Sequence, residues 1–347
     1  MLASCAKSNS GNEVVSVLPE TVLSDVDSVG YSVVELPDSV KANGESFFMA
    51  NDSLLIVNKS SKTGNLVDVI NLKDGTVKHS LFTVGEGPEE MIMGVFYYNG
   101  DVMTAVDYPR SRYATISRDD LAGKDITPSF ITYPYSIGIV SAPIENGDST
   151  ILVNPGNYTN ETFGVVQNQP VFFKTANNAT EFEYDRGEFR TQNVSQKKSV
   201  VDKNGNIWLA DVAKSVIDIY DNDLNLVKSI RVPSEVAGDA EIGIREINGS
   251  KMVSYKDKFP KAFGQGVASA DKSVIYWPFI GKKLERNQDY SGIGTYIFKF
   301  DLDGNLIKTF YSPKYILFIS EVDGEIYATA TDDDDNSILI KLDTDEK

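Results

Sequence analysis

Ser199-Val200-Val201-Asp202-Lys203-Asn204-Gly205-Asn206-Ile207-Trp208-Leu209-Ala210-Asp211 decides the fold. Two runs of strand formers flank Asn204-Gly205, a dipeptide that turns a chain back on itself as a tight hairpin. Downstream, Val216-Ile217-Asp218-Ile219-Tyr220 and Leu226 to Val232 add two further strands, separated by a second Asn- and Asp-rich turn. Four short antiparallel strands in about 35 residues make one small sheet that cannot bury both faces by itself. Such a unit needs neighbours.

The chain supplies them at intervals of about 45 to 70 residues, the period of a repeat architecture. A first unit runs from Ser46 through Asp74-Gly75 to Thr83, and a second from Met91 through Asn99-Gly100 to Tyr133. A third starts near Ser136, turns at Asn146-Gly147 and ends with Thr180 to Tyr184. The Trp208 unit is the fourth. A fifth carries Val274 to Pro278, Thr295 to Phe300 and Leu306 to Tyr311, preceded by an insertion over Ser234 to Gly266 with a turn at Asn248-Gly249. A sixth has Ile316 to Val322, Glu325 to Thr331 and Ser337 to Leu342, and there the strands run out at three. The isolated strand Tyr31 to Leu36 has unpaired backbone on both edges and must find a partner far away in sequence. The expected fold is therefore all-β: a six-bladed β-propeller over residues 29–347, whose N-terminal strand closes the last blade by pairing with Ser337 to Leu342. Residues 1–28 are expected to form a tether, Val14 to Asp27 having no clear strand alternation.

The stretch Asp202 to Asp211 is similar to the turn and second strand of NHL-type propeller repeats. The whole pattern, from about Tyr31 to Asp343, resembles the TolB-like six-bladed propeller lipoproteins of Bacteroidetes. The specific mark is Gly85-Glu86-Gly87-Pro88-Glu89-Glu90, which resembles the Gly-x-Gly-Pro-x-Glu loop those proteins carry after their first blade. The resemblance identifies an architecture and a cell-envelope setting, and leaves activity open.

Composition agrees with an all-β protein: 17 Tyr and 17 Phe lie among many Val, Ile and Thr residues in short runs. With 33 basic and 50 acidic residues the net charge is −17, so a nucleic acid is not an expected partner. The single cysteine, Cys5, excludes an intramolecular disulfide and a cysteine-ligated zinc or iron–sulfur site. Leu2-Ala3-Ser4-Cys5 resembles a bacterial lipobox, which makes Cys5 a candidate lipidation site. Only Met1 precedes that pattern, whereas export needs a basic and then an apolar segment upstream. The expected setting is a monomer in the periplasm or on the outer membrane, touching the membrane only through an N-terminal lipid.

Three carboxylates near a Gly-Pro corner, Glu86, Glu89 and Glu90, could hold a cation or accept sugar hydroxyls, or the motif could be a shaped turn between blades. Glu90, Asp202 and Glu321 are candidate polar groups facing a central channel, where several calcium-dependent propeller enzymes hold their metal. Asp301-Leu302-Asp303-Gly304-Asn305 mimics part of a calcium loop without the closing glutamate of an EF-hand, and Asp332 to Asp335 is a run of four carboxylates. Tyr108, Tyr133, Tyr135, Tyr158, Trp277 and Tyr290 fall in or beside expected loops and could contact a ligand, whereas Trp208 reads as core. His79 is the only histidine, so a His dyad is excluded.

No nucleophile elbow, phosphate loop or helical metalloprotease motif occurs. The leading expectation is a non-catalytic binding or scaffolding propeller of the cell envelope, its ligand a protein or a glycan, with no cofactor. The alternative is a Ca2+-dependent hydrolase or lyase with its site in the channel, and a third reading is a sensor partner of a transport system.

Overall fold

Ile207–Asp211 is buried along its whole length, the signature of a strand covered on both faces. In the computed structural model it pairs with Lys197–Val201 on one side and Val216–Tyr220 on the other, and Leu226–Arg231 completes an antiparallel blade. The structure describes residues 14–24, 26–37, 46–58, 64–98, 102–123, 126–132, 144–146, 149–154, 158–161, 164–167, 171–176, 197–211, 215–236, 242–247, 250–255, 258–260, 263–269, 271–281, 283–285, 292–334 and 336–344. Cys5 lies outside them.

Among the described residues the propeller shows five blades, not the six expected. The first is Ser46–Met49, Leu54–Asn58, Asn65–Asn71 and Val77–Thr83; the second is Gly94–Tyr98, Val102–Asp107, Arg112–Ser117 and Ile131–Thr132. The third is the Trp208 blade. The fourth is Val267–Ala268, Val274–Phe279, Thr295–Asp301 and Leu306–Ser312, and the fifth is Ile316–Val322, Glu325–Thr331 and Ser337–Asp343 with Gly30–Val33.

The correction falls on the expected third unit. Among the described residues it gives a three-stranded sheet, Ile144–Asn146, Ser149–Asn154 and Val171–Ala176. A separate hairpin, Tyr158–Glu161 with Gly164–Gln167, is inserted in sequence between the last two of these strands. The strand expected over Thr180 to Tyr184 lies outside the described residues, as do the Asn99-Gly100 and Asn248-Gly249 turns. A second hairpin, Ile242–Ile247 with Ser250–Tyr255, fills the expected insertion, and it lies beside the first.

Core clusters show how the sheets adjoin. Phe48, Ile56 and Val67 of the first blade pack with Tyr98, Met103 and Ala105 of the second. Trp208 and Ile219 of the third pack with Trp277, Phe298 and Phe300 of the fourth. Ile297 and Phe310 meet Ile319 and Ile340 of the fifth, and Phe47, Met49 and Leu55 meet Val322 and Leu339 to join first blade to last. Ile151 of the three-stranded sheet packs on Ile207, Leu209 and Tyr220.

The N-terminal segment closes this arrangement more extensively than one strand would. Gly30–Val33 pairs antiparallel with Ser337–Asp343, Tyr31 opposite Leu342 and Val33 opposite Ile340, and the Val34 N–H adds a bond to the Leu339 carbonyl at 2.9 Å. Upstream, Val14–Val17 lies parallel on Leu226–Arg231 and Asp27–Ser28 lies parallel on Leu306–Ser312. Val14–Val17, Asp27–Ser28 and Gly30–Val33 thus lie on the outer edges of three successive blades. Leu18 and Val22 enter the core between the third and fourth blades, and Val29 enters the one between the fourth and fifth.

Candidate functional site

The connection from first blade to second is built by Gly85-Glu86-Gly87-Pro88-Glu89-Glu90. The Glu90 carboxylate folds back and accepts the Gly87 N–H at 2.6 Å. That return is why the motif needs both glycines: a Cβ on Gly85 would collide with the Glu90 carboxylate, and one on Gly87 would stand 3.0 Å from the Glu90 Cδ. Gly85 N–H to Met91 O and Met91 N–H to Thr83 O then clamp the base of the loop. Glu90 therefore shapes the turn, while Glu86 and Glu89 are exposed.

Two arginines from the second blade hold the loop's other side. Arg110 sits in a short 3-10 turn, Tyr108–Arg110, and donates to the carbonyls of Gly87 at 2.8 Å, Glu90 and Glu86. Arg112 opens the next strand and donates to the carbonyls of Pro88 at 2.8 Å and Glu90. Its Nε binds Asp107 Oδ2 at 3.1 Å, and its guanidinium lies 4.0 Å above the Phe130 ring. Charged donors to carbonyls make strong bonds, and a planar guanidinium with several donors fixes direction as well as distance.

Two backbone residues in the left-handed region flank this assembly. Phe82, buried in the last strand of the first blade, has φ 58°, and Ser111, between the two arginines, has φ 50°. Each is an uncommon conformation for a residue with a Cβ and persists where surrounding structure over-determines it. Here Phe82 packs on Phe96 and Phe130, the ring beneath Arg112.

Beside the loop, Tyr97 Oη and Tyr108 Oη lie 2.7 Å apart. Burial pushes the Tyr97 phenol above its ordinary value, against the lowering effect of that hydrogen bond. Lys198, from the innermost strand of the third blade, stands 5.9 Å from the Tyr97 ring and so spans the two blades. Asp107 is fully buried, and its second oxygen, Oδ1, has no hydrogen-bond partner among the described residues.

The other carboxylates singled out in the sequence also build turns. Asp202 is 2% exposed. It accepts the N–H groups of Asn204 and Asn206, the Asn206 side-chain amide and, at 3.0 Å, the Trp208 indole N–H. It is the keystone of a hairpin. The same Asp-x-(Asn/Asp)-x-Asn turn recurs at Asp221, Asp301 and Asp332, with the asparagine four residues on closing each one. This accounts for the calcium-loop likeness of Asp301 to Asn305: the alternating oxygen donors are an Asx turn. At Asp332, burial raises the carboxyl, but the hydrogen bonds from Asn336 and Asp334 and the charge of Lys314 hold it below the usual range. Glu321 is buried and caps the Asp323-Gly324 turn by accepting the Gly324 N–H at 2.6 Å. Among the described residues no three carboxylate, histidine or cysteine side chains gather as they would around a metal ion.

His79 Nε2 lies 3.1 Å from the Gly123 carbonyl, linking the outer strand of the first blade to the second. Trp277, expected beside a loop, is instead a central-strand residue with no exposure, its indole donating to Gly264 O at 3.0 Å. Tyr133, Tyr135 and Tyr290 lie outside the described residues, as does the side chain of Tyr158.

Arg110, Arg112 and Asp107 were missed in the sequence. Their signal is faint: a cation pair two residues apart, just after an aspartate that ends a strand, in a strongly acidic chain.

No family model matches the chain, and no curated protein matches it. Among solved structures, a member of the DUF4221 family from Bacteroides vulgatus matches 91% of this chain and 98% of its own at 9% identity, with a TM-score of 0.53. A candidate exported protein of Bacteroides fragilis matches 96% of this chain and 99% of its own at 12% identity, TM-score 0.44. A protein of unknown function from Bacteroides thetaiotaomicron matches 91% and 76% at 10% identity, TM-score 0.46. The first likeness is one of fold alone, and the fold it supports is the all-β propeller.

Proposed function

We propose that this protein is a non-catalytic binding or scaffolding propeller of the bacterial cell envelope, held at the membrane through a lipid on Cys5 and presenting its loops to a protein or a glycan. The observation that carries the reading is the use to which the carboxylates are put. Glu90, Asp202 and Glu321 each bind the backbone of their own turn, so these polar groups stiffen loops instead of converging on one point. Side chains left exposed on such loops are held in place before any partner arrives, which lowers the entropic cost of association. The lipobox-like Leu2-Ala3-Ser4-Cys5 and the likeness of Gly85 to Glu90 to the loop of TolB-like lipoproteins support the setting.

The test is a pull-down from envelope extracts together with a glycan array, both with lipidated protein. A partner or glycan retained at physiological salt is the expected result. Two blank results would sink the proposal. A rise in melting temperature with millimolar calcium, together with turnover in substrate screens that Glu90→Gln and Asp202→Asn lose, would replace it with a calcium-dependent hydrolase or lyase.

A further inference from the structure

Just beyond the arginine-held loop, Ile92 is 45% and Met93 55% exposed, immediately before the innermost strand of the second blade. A large apolar side chain on a surface is unremarkable singly. Two adjacent ones, on a segment fixed on both sides, ask for a reason. Glu90 closes the turn behind them through Gly87, and Arg110 and Arg112 bind the carbonyls of Glu86, Gly87, Pro88 and Glu90. The other exposed side chains of this stretch are Glu86, Pro88 and Glu89. The surface therefore consists of an apolar tip and an apolar corner with two exposed carboxylates beside them.

We infer that Glu86 to Met93 is a docking surface for a basic, apolar segment of a partner protein, one in which Lys or Arg alternates with large apolar side chains. This deepens the binding function proposed above and rests on it. Charge complementarity selects the partner: Glu86 and Glu89 are exposed, on a chain of net charge −17, so a cationic segment is steered toward the surface and an acidic one is repelled. The apolar pair supplies contact that charge alone does not, and Met adapts to irregular partner surfaces. A glycan fits less well, because sugar recognition stacks rings on aromatic side chains and Glu86 to Met93 contains none. A second copy of this chain would bring its own negative charge to the contact.

The experiment uses the full chain and fluorescein-labelled 15-residue peptides of alternating Lys and Leu, with Glu–Leu and Ser–Leu peptides as comparisons, read by fluorescence anisotropy at 50 and 300 mM salt. Binding of the Lys–Leu peptide alone is expected, weakened at least tenfold both by Ile92→Ser with Met93→Ser and by Glu86→Gln with Glu89→Gln. Glu20→Gln with Asp52→Asn removes the same charge elsewhere, from two exposed acids, and should weaken binding less than twofold. Equal weakening by both charge-removing pairs would mean attraction to the whole anionic surface and overturn the inference. So would unaltered binding by the Ile92/Met93 variant, provided that thermal melts show it folded, or an equal affinity for the Ser–Leu peptide. Self-association abolished by the same variant would assign the surface to a second copy instead. An envelope or glycan partner retained equally by wild type and both loop variants would leave the general binding function standing while this inference fails.

Discussion

Lys228, on the outer strand of the third blade, donates through Nζ to the carbonyl of Asp303 at 2.6 Å and to that of Gly304 at 3.1 Å, in a hairpin turn of the fourth. The turn comes that close because Gly304 has φ 72° and no side chain. A Cβ there would stand 2.9 Å from Ile219 Cδ1 and 3.0 Å from Ile230 Cδ1, both in the third blade's core. Gly304→Ala should therefore lose roughly 2–4 kcal/mol, from left-handed strain and overpacking together. Lys228→Met should lose roughly 1–2 kcal/mol, because two carbonyls lose a charged donor. The two changes act on one contact, so urea melts of the double variant should give less than the sum.

Asp202 and Trp208 couple a turn to the core. Asp202→Ala removes the acceptor of two backbone N–H groups and one side-chain amide, and leaves the Trp208 indole N–H buried without a partner. A loss of about 3 kcal/mol is expected by denaturant unfolding. Trp208→Phe opens a core cavity of its own, but Asp202→Ala should cost less in that background than in the wild type, since there is then no indole donor to strand. An unchanged midpoint for Asp202→Ala would show that the hairpin does not depend on this carboxylate.

These contacts mark how far the sequence could be read. Asn204-Gly205 between two apolar runs announces a hairpin by local chemistry alone, and the Trp208 blade follows it closely. The pairing of Tyr31 with Leu342 was legible because a lone strand at one end and a three-stranded unit at the other each lacked a partner. The parallel addition of Val14–Val17 was not, because four residues of Val-Val-Ser-Val carry no alternation and their partner lies about 214 residues away. The expected sixth blade failed where repeat spacing was the main guide: a period counts units without testing each one, and the unit between second and third blades has three strands among the described residues, with the Tyr158 hairpin inserted between two of them. At the loop, Gly-x-Gly-Pro-x-Glu foretold a shaped corner, but its arginine supports come from a turn and the strand after it, some twenty residues further on.

The clasp should be open to a single substitution. Val34→Pro removes the N–H that binds Leu339 O, at the end of the strand joining fifth blade to N-terminus, for an expected loss of roughly 1–2 kcal/mol. Its particular signature lies in hydrogen exchange: amides of Ser337–Asp343 should exchange at least tenfold faster, while those of Ile207–Asp211 stay protected. Uniform acceleration across all blades would mean that the ring opens only as a whole.

Asp271 offers a check on the electrostatics of an exposed turn. The Ser269 hydroxyl at 2.7 Å, the Ser273 hydroxyl at 2.6 Å and the Ser273 N–H at 3.0 Å all donate to it and hold its carboxyl at about 2. A depressed carboxylate contributes stability above its unfolded value of about 4, and that contribution is lost as pH falls through the folded value near 2. Carbon-detected NMR should find the Asp271 midpoint near 2 in the wild type, and higher in Ser269→Ala. A wild-type midpoint near 4 would show the turn open in solution.

Arg112 is the most sensitive point of the candidate site. It is 11% exposed and pairs with a fully buried Asp107 whose other oxygen lacks a partner among the described residues. Arg112→Ala strands that carboxylate, so a loss of about 3–5 kcal/mol is expected. The same change releases the carbonyls of Pro88 and Glu90, so amides of Gly85, Glu90 and Met91 should also lose protection. Asp107→Leu in the Arg112→Ala background removes the unpaired charge and should regain most of the stability while the loop amides stay exposed. That split separates the two roles of the arginine: if stability and loop protection return together, the loop is held by the fold around it and not by the guanidinium.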